Sequence, residues 1–165
     1  MKPRDLAYCG LFGAASLVLP VLFHVLQAGH FFMPMYLPLV TLAFFARPGA
    51  AALTALLVPV LSGAVTGMPP FYPPVAPVMA VEIALMTVMI GVLRTSFPRI
   101  PVWLDLAVAL TVGRVVNAGL FYAAAQALEL PPGFVAGVSL LSGWPGLVLM
   151  MAVIPPVVRL SNPRA

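Results

Sequence analysis

The chain has 165 residues, of which eight are basic and four acidic, while 62% are hydrophobic and the mean hydropathy is +1.11. A soluble domain carries roughly 25% charged residues, so this composition cannot cover a water-facing surface; disorder, which needs low hydrophobicity and high charge, is excluded as well. The net charge of +4 comes from basic residues scattered singly. That pattern argues against a nucleic-acid-binding patch and leaves an integral membrane protein with several spans.

Proline, glycine and charge divide the chain into six apolar segments. The first, Leu6–Gly29, follows Lys2 and Arg4 but is too long for the apolar core of a secretory signal, and no small-residue cleavage site follows it, so it reads as a retained helix. It contains the lone Cys9, an inert packed thiol that cannot form an internal disulfide. It also holds Gly10 and Ala14, a small-xxx-small pair that lets a second helix approach closely, either within the bundle or from a partner subunit. The second segment, Phe31–Ala46, and the third, Ala50–Thr66, are short for a crossing, and Pro34 and Pro38 predict an irregular start to the second. The fourth, fifth and sixth are Pro77–Leu93, Val102–Leu128 and Phe134–Leu160.

The basic residues orient these segments. With the N-terminus on the cytoplasmic side, Lys2, Arg4, Arg47, Arg94, Arg99, Arg159 and Arg164 all fall inside, and the three outer connections hold no Lys or Arg. The expectation is therefore an all-α integral membrane fold: a single membrane domain over residues 1–165, a six-helix bundle with both termini cytoplasmic. The short tails predict no soluble domain, and the sequence contains no phosphate-binding loop of the G-x-x-x-x-G-K-[ST] kind. Any nucleotide energy would come from another chain.

Three polar residues interrupt the spans: Glu82, Arg114 and Asn117. A charge at the centre of a span costs about 2.5–3.5 kcal/mol on insertion scales, so each must face the bundle interior with a partner or a polar ligand. Arg114 and Asn117, three residues apart, share one face of the fifth segment, which Ala107, Leu110 and Phe121 extend. Two readings stand side by side: a polar pocket for a small molecule, and a structural Glu82–Arg114 ion pair. Counted from the outer ends, Glu82 lies about 9 Å deep and Arg114 about 20 Å deep. That mismatch predicts room for a ligand or water between them.

Around these residues the outer connections carry further candidates. His24 and His30 are six apart, which is not the spacing of a helical metal pair, and no Cys or carboxylate accompanies them. They read as interfacial, hydrogen-bonded groups, with His30 also placed to touch a ligand. The connection from Gly67 to Pro77 has five prolines in eleven residues, so it has little entropy to lose. Its Met68, Phe71 and Tyr72 read either as an apolar lid over a pocket or as aromatics at headgroup level on a rigid turn. Trp144, among Gly143, Pro145 and Gly146, is read as deep in the sixth segment, serving as a stacking surface for a flat ligand or as core packing. Neither H-E-x-x-H nor G-x-S-x-G occurs, and no two carboxylates meet within a span, so nothing marks an enzyme.

In order along the chain, several motifs resemble those of the substrate-binding S components of energy-coupling factor (ECF) transporters. Pro34-Met35-Tyr36-Leu37-Pro38 followed by Arg47-Pro48-Gly49 resembles the family's PMH(I/L)P run and its Gly/Pro turn, with Tyr36 where His is common. Ala64-Val65-Thr66-Gly67-Met68-Pro69-Pro70 resembles LLTGMPP, and Met79-Ala80-Val81-Glu82-Ile83-Ala84 resembles MAFELA. Gly113-Arg114-Val115-Val116-Asn117-Ala118-Gly119 and Gly143-Trp144-Pro145-Gly146-Leu147-Val148-Leu149 resemble motifs of spans five and six. The resemblance implies a six-helix bundle that binds a vitamin or related micronutrient near the outer face of a bacterial or archaeal cytoplasmic membrane. It implies partnership with a T component and two ABC ATPases that use ATP, with no cofactor or metal in this chain. Carried onto this sequence, the substrate site falls on Glu82, Arg114, Asn117 and Trp144, with Met68, Phe71 and Tyr72 as lid. Partner docking falls on Gly10 and Ala14, with Gly where the family often has Ala. The alternative is a structural membrane protein similar in size and span count to the MreD family of the cell-shape machinery, which carries no such pocket.

Overall fold

The computed structural model describes residues 2–25, 33–129 and 143–161, with the side chains of His24 and Val25 excepted. These residues form six helices and, among the described residues, no strand: α1 (Pro3–Val25), α2 (Tyr36–Leu42), α3 (Pro48–Thr66), α4 (Val75–Ser96), α5 (Val102–Ala127) and α6 (Trp144–Ser161). All but α2 are long and apolar enough to cross a membrane. The boundaries follow local chemistry. Pro3 and Pro48 stand in the first turns of α1 and α3, where the missing N–H leaves no helical bond unmade. At the other end of α3, Gly67 takes the left-handed conformation (φ 75°) and its N–H closes onto the Gly63 carbonyl. Pro74 and Pro101 precede α4 and α5.

The second apolar segment departs most from a simple span. Seven of its described residues are α-helical, a rise of about 10 Å. Pro38 is accommodated in the first turn. The chain then tightens through three i→i+3 bonds, from the N–H groups of Ala43, Phe44 and Phe45, before it reaches Pro48. This short helix is the most enclosed element for its size: Leu39, Val40 and Leu42 are fully buried. Its neighbours are α1, α3, α4 and α6. The sixth apolar segment is seen from Gly143 onward; its predicted beginning at Phe134 lies outside the described residues.

The bundle is apolar outside and encloses a few polar side chains within an apolar core. Leu11, Val65, Val115 and Leu160 are each more than 60% exposed, while Glu82, Thr87 and Asp105 are buried. In water that arrangement would fail; in lipid it places apolar surface against acyl chains and polar groups against each other. The broadest helix interface joins α3 to α4, followed by α4 to α5. Two glycines permit these approaches. A Cβ at Gly91 would overlap the Pro48 ring, and one at Gly113 would overlap Met86. The Gly91–Pro48 contact, together with a cleft shared by Lys2, Arg4 and Arg47, brings the starts of α1 and α3 and the end of α4 to one end of the bundle. Most of the basic residues that the sequence assigns to the cytoplasmic side thus gather together.

Candidate functional site: a buried polar cluster beside a cleft

The short helix α2 carries Tyr36 at its first position, α4 carries Glu82 near its middle, and α5 carries Arg114 and Asn117 on its inward face. The four side chains meet. The Tyr36 hydroxyl donates to Glu82 Oε2, and Asn117 Nδ2 donates to the same oxygen at 2.7 Å. Arg114 Nη2 donates to Glu82 Oε1 and, at 3.2 Å, to the Tyr36 hydroxyl. The guanidinium also lies over the Tyr36 ring, 5.3 Å from its centroid, a cation–π contact that gains strength away from water. Glu82 has no exposed surface, and its three partners are all buried. One carboxylate with three donors, one of them a cation, is the arrangement in which a buried charge is tolerated.

The direct Glu82–Arg114 contact corrects the depth mismatch expected from counting inward from the outer helix ends. Those ends are not level. The five-residue connection 97–101 ties the other ends together, and from there Glu82 is 14 residues along α4 and Arg114 is 12 residues along α5. At the helical rise these are about 21 and 18 Å, a difference that an Arg side chain spans with ease. The 26-residue α5 overhangs the 22-residue α4 at the far end. The ion-pair reading is therefore realised in this structure.

The cluster has an open side. Arg114 is the charged member of a wall of Ala107, Leu110, Thr111, Val115, Leu147 and Met151 that bounds a cleft of about 380 Å³ between α5 and α6. Its Nε–H has no acceptor among the described residues. Nearby, a Cβ at Gly143 would overlap Met33 and lie 3.5 Å from Arg114 Nη1. The missing side chain at Gly143 therefore lets the start of α6 approach the guanidinium. The resulting chemistry is an apolar cleft with one fixed cation in its wall, which suits a small molecule with an acidic group and an apolar body.

Of the other predicted site residues that the structure describes, none hydrogen-bonds to this cluster. Trp144, the first residue of α6, is 61% exposed. It follows Gly143, the glycine beside Arg114, and its exposed side chain is not packed in the core; its depth, counted from Phe134, turns on residues outside the described ones. Met68, Phe71 and Tyr72 are exposed, and their loop is fastened to the end of α3. The Ser62 hydroxyl donates to the Met68 carbonyl at 2.7 Å, the Phe71 ring faces Gly63, and the Ala76 N–H bonds the Pro70 carbonyl. The Met68–Pro69 and Tyr72–Pro73 bonds are cis. No hydrogen bond joins this loop to the cluster among the described residues. His30 lies outside the described residues.

Sequence reasoning passed over two residues. Tyr36 completes the cluster; its signal was a phenol within an apolar segment, where the hydroxyl must find a partner. Asp105, in the first turn of α5, is 1% exposed and neither of its carboxylate oxygens has a hydrogen-bond partner. The only signal in the sequence was an acid near a helix start, an ordinary and favourable position. No three His, Cys, Asp or Glu side chains are grouped to hold a metal ion among the described residues. No protein-family profile, curated protein or solved structure matches the chain.

Proposed function

We propose that this protein is the substrate-binding S component of an ECF-type importer: a six-crossing subunit with cytoplasmic termini that captures a vitamin or related micronutrient within the membrane. The observation that carries the reading is Arg114, fixed by Glu82 and Tyr36 on one side and lining an apolar cleft on the other. The guanidinium anchors an acidic group of the ligand while the walls from α5 and α6 accept its apolar part. The chain acts as a binding and translocation subunit rather than an enzyme. Energy comes from ATP hydrolysed by two partner ABC ATPases acting through a T component. The motifs of the sequence, in the order the family has them, supply the remaining support.

The partner surface follows from α1. It is the least enclosed of the long helices. Ala7, Gly10 and Ala14 share its exposed side, and no atom stands within 4 Å of a Cβ placed at Gly10. These small residues are thus open to a second helix instead of being consumed by internal packing. Gly10→Leu/Ala14→Leu is expected to fold as the wild type does and to lose copurification with the T component and ATPases. Retention of those partners by the variant would remove α1 as the docking helix.

One observation favours the second reading, a structural membrane protein of the cell-shape machinery: Glu82 is already saturated by protein donors, as a purely structural ion pair would be. Copurification separates the two. Cell-wall elongation proteins in place of a T component and ATPases would select the structural reading.

A further inference from the structure

At the end of the bundle where α1 and α3 begin, Lys2, Arg4, Asp5, Phe44, Phe45 and Arg47 bound a second cleft, of about 320 Å³. Its charges do not cancel. Asp5 is buried and receives the Lys2 backbone N–H at 3.3 Å and Arg47 Nε at 3.7 Å. One carboxylate against three cations leaves a surplus of two positive charges. The Arg4 guanidinium lies 5.7 Å over the Tyr8 ring and has no acidic partner among the described residues. Two helix N-termini, at Pro3 and Pro48, converge on the same place, and Arg47 at the start of α3 makes no side-chain cap. Their dipoles add to the positive potential.

The cleft is also amphipathic. Phe44 and Phe45 form part of its wall, and Phe45 stacks with Phe12 at 5.6 Å and contacts Tyr8 at the same distance. At about 30 Å³ of liquid volume per water, the cleft holds roughly ten waters, more than a bare oxyanion needs. We infer that this cleft binds the phosphodiester headgroup of an anionic phospholipid. Arg4, Lys2 and Arg47 receive the phosphate, and Phe44 and Phe45 support the glycerol region. The site is separate from the Arg114 cleft and holds for either reading of the protein's function.

Native mass spectrometry of protein taken from micelles doped with equal phosphatidylglycerol and phosphatidylcholine tests the assignment. Phosphatidylglycerol adducts should dominate in the wild type. Lys2→Gln/Arg4→Gln keeps the Asp5–Arg47 pair and should lower the bound fraction by about fivefold for each cation removed. Arg4→Gln alone should give an intermediate loss, providing a milder variant should the double one fold poorly. Arg159→Gln removes a cation outside the cleft and should change nothing. Equal binding of the two lipids, an unchanged bound fraction in both cleft variants, or an equal fall in Arg159→Gln would overturn the site. Displacement of the lipid by excess inorganic phosphate would overturn it too, by making it a site for a free anion.

Discussion

Arg114→Ala is expected to cost about 3–5 kcal/mol of stability. The substitution does more than delete a hydrogen bond. It leaves the Glu82 carboxylate without exposed surface and without its cation, held only by Tyr36 and Asn117. The alternative to pairing in this environment is an uncompensated charge in a low-dielectric interior, which is why breaking such a pair costs more than removing it whole. The double variant Arg114→Met/Glu82→Gln should therefore recover most of the loss, and the two single effects should be strongly non-additive. Thermal unfolding in detergent of the two single variants and the double variant measures this directly. Additive losses would mean that the two side chains do not act as a pair.

Asp105→Leu should act in the opposite direction and stabilise the protein by about 2–3 kcal/mol. An unsatisfied buried polar group costs about 1–3 kcal/mol, and a charged one more. Asp105 keeps one favourable term, its place in the first turn of α5, where the helix dipole offers about 0.3–1 kcal/mol that Leu forfeits. The Arg94 guanidinium lies over the Phe44 ring at 5.3 Å and forms no salt bridge with the carboxylate among the described residues. Leu106 and Val102 beside it are buried in the apolar core, so a Leu at 105 meets compatible neighbours. A rise in the unfolding midpoint of Asp105→Leu confirms the orphaned carboxylate. A fall would show that Asp105 holds a partner essential to the fold.

The scarcity of charge made the centre of the site legible. With so few ionisable side chains and most of them at helix ends, Glu82 and Arg114 could only be inward-facing, and the three-residue spacing placed Asn117 beside Arg114. Their mutual contact was legible only as one of two readings, and the depth count from the outer helix ends spoke against it. Helix ends read from proline and glycine give lengths but not levels, and the levels are set by the short connection 97–101. Tyr36 was hidden by its neighbours: Pro34 and Pro38 mark an irregular segment, and only the fold shows that a seven-residue helix there is driven into the core. The aromatic loop after α3 shows the reverse case. Its prolines correctly announced a constrained connection, but composition could not say whether Phe71 turns toward the cluster or back onto Gly63. A glycine with space for a ring decided that locally. Trp144 stands at the start of α6 with its side chain exposed, and the count from Phe134 that places it deep runs through residues outside the described ones.

The central claim is that Arg114 anchors an acidic ligand from the cleft between α5 and α6. Arg114→Lys separates that role from the ion pair. Lysine keeps a cation beside Glu82 but loses the planar fork that can hold a carboxylate with two parallel bonds. The decisive measurement is mass spectrometry of small molecules released on denaturing the gently purified protein, wild type against Arg114→Lys, with the unfolding midpoint of each recorded. A stoichiometric acidic small molecule is expected from the wild type, and its loss, by about tenfold or more, from a variant that remains folded. No enriched molecule in the wild type, or the same molecule in equal amount from folded Arg114→Lys, would contradict it.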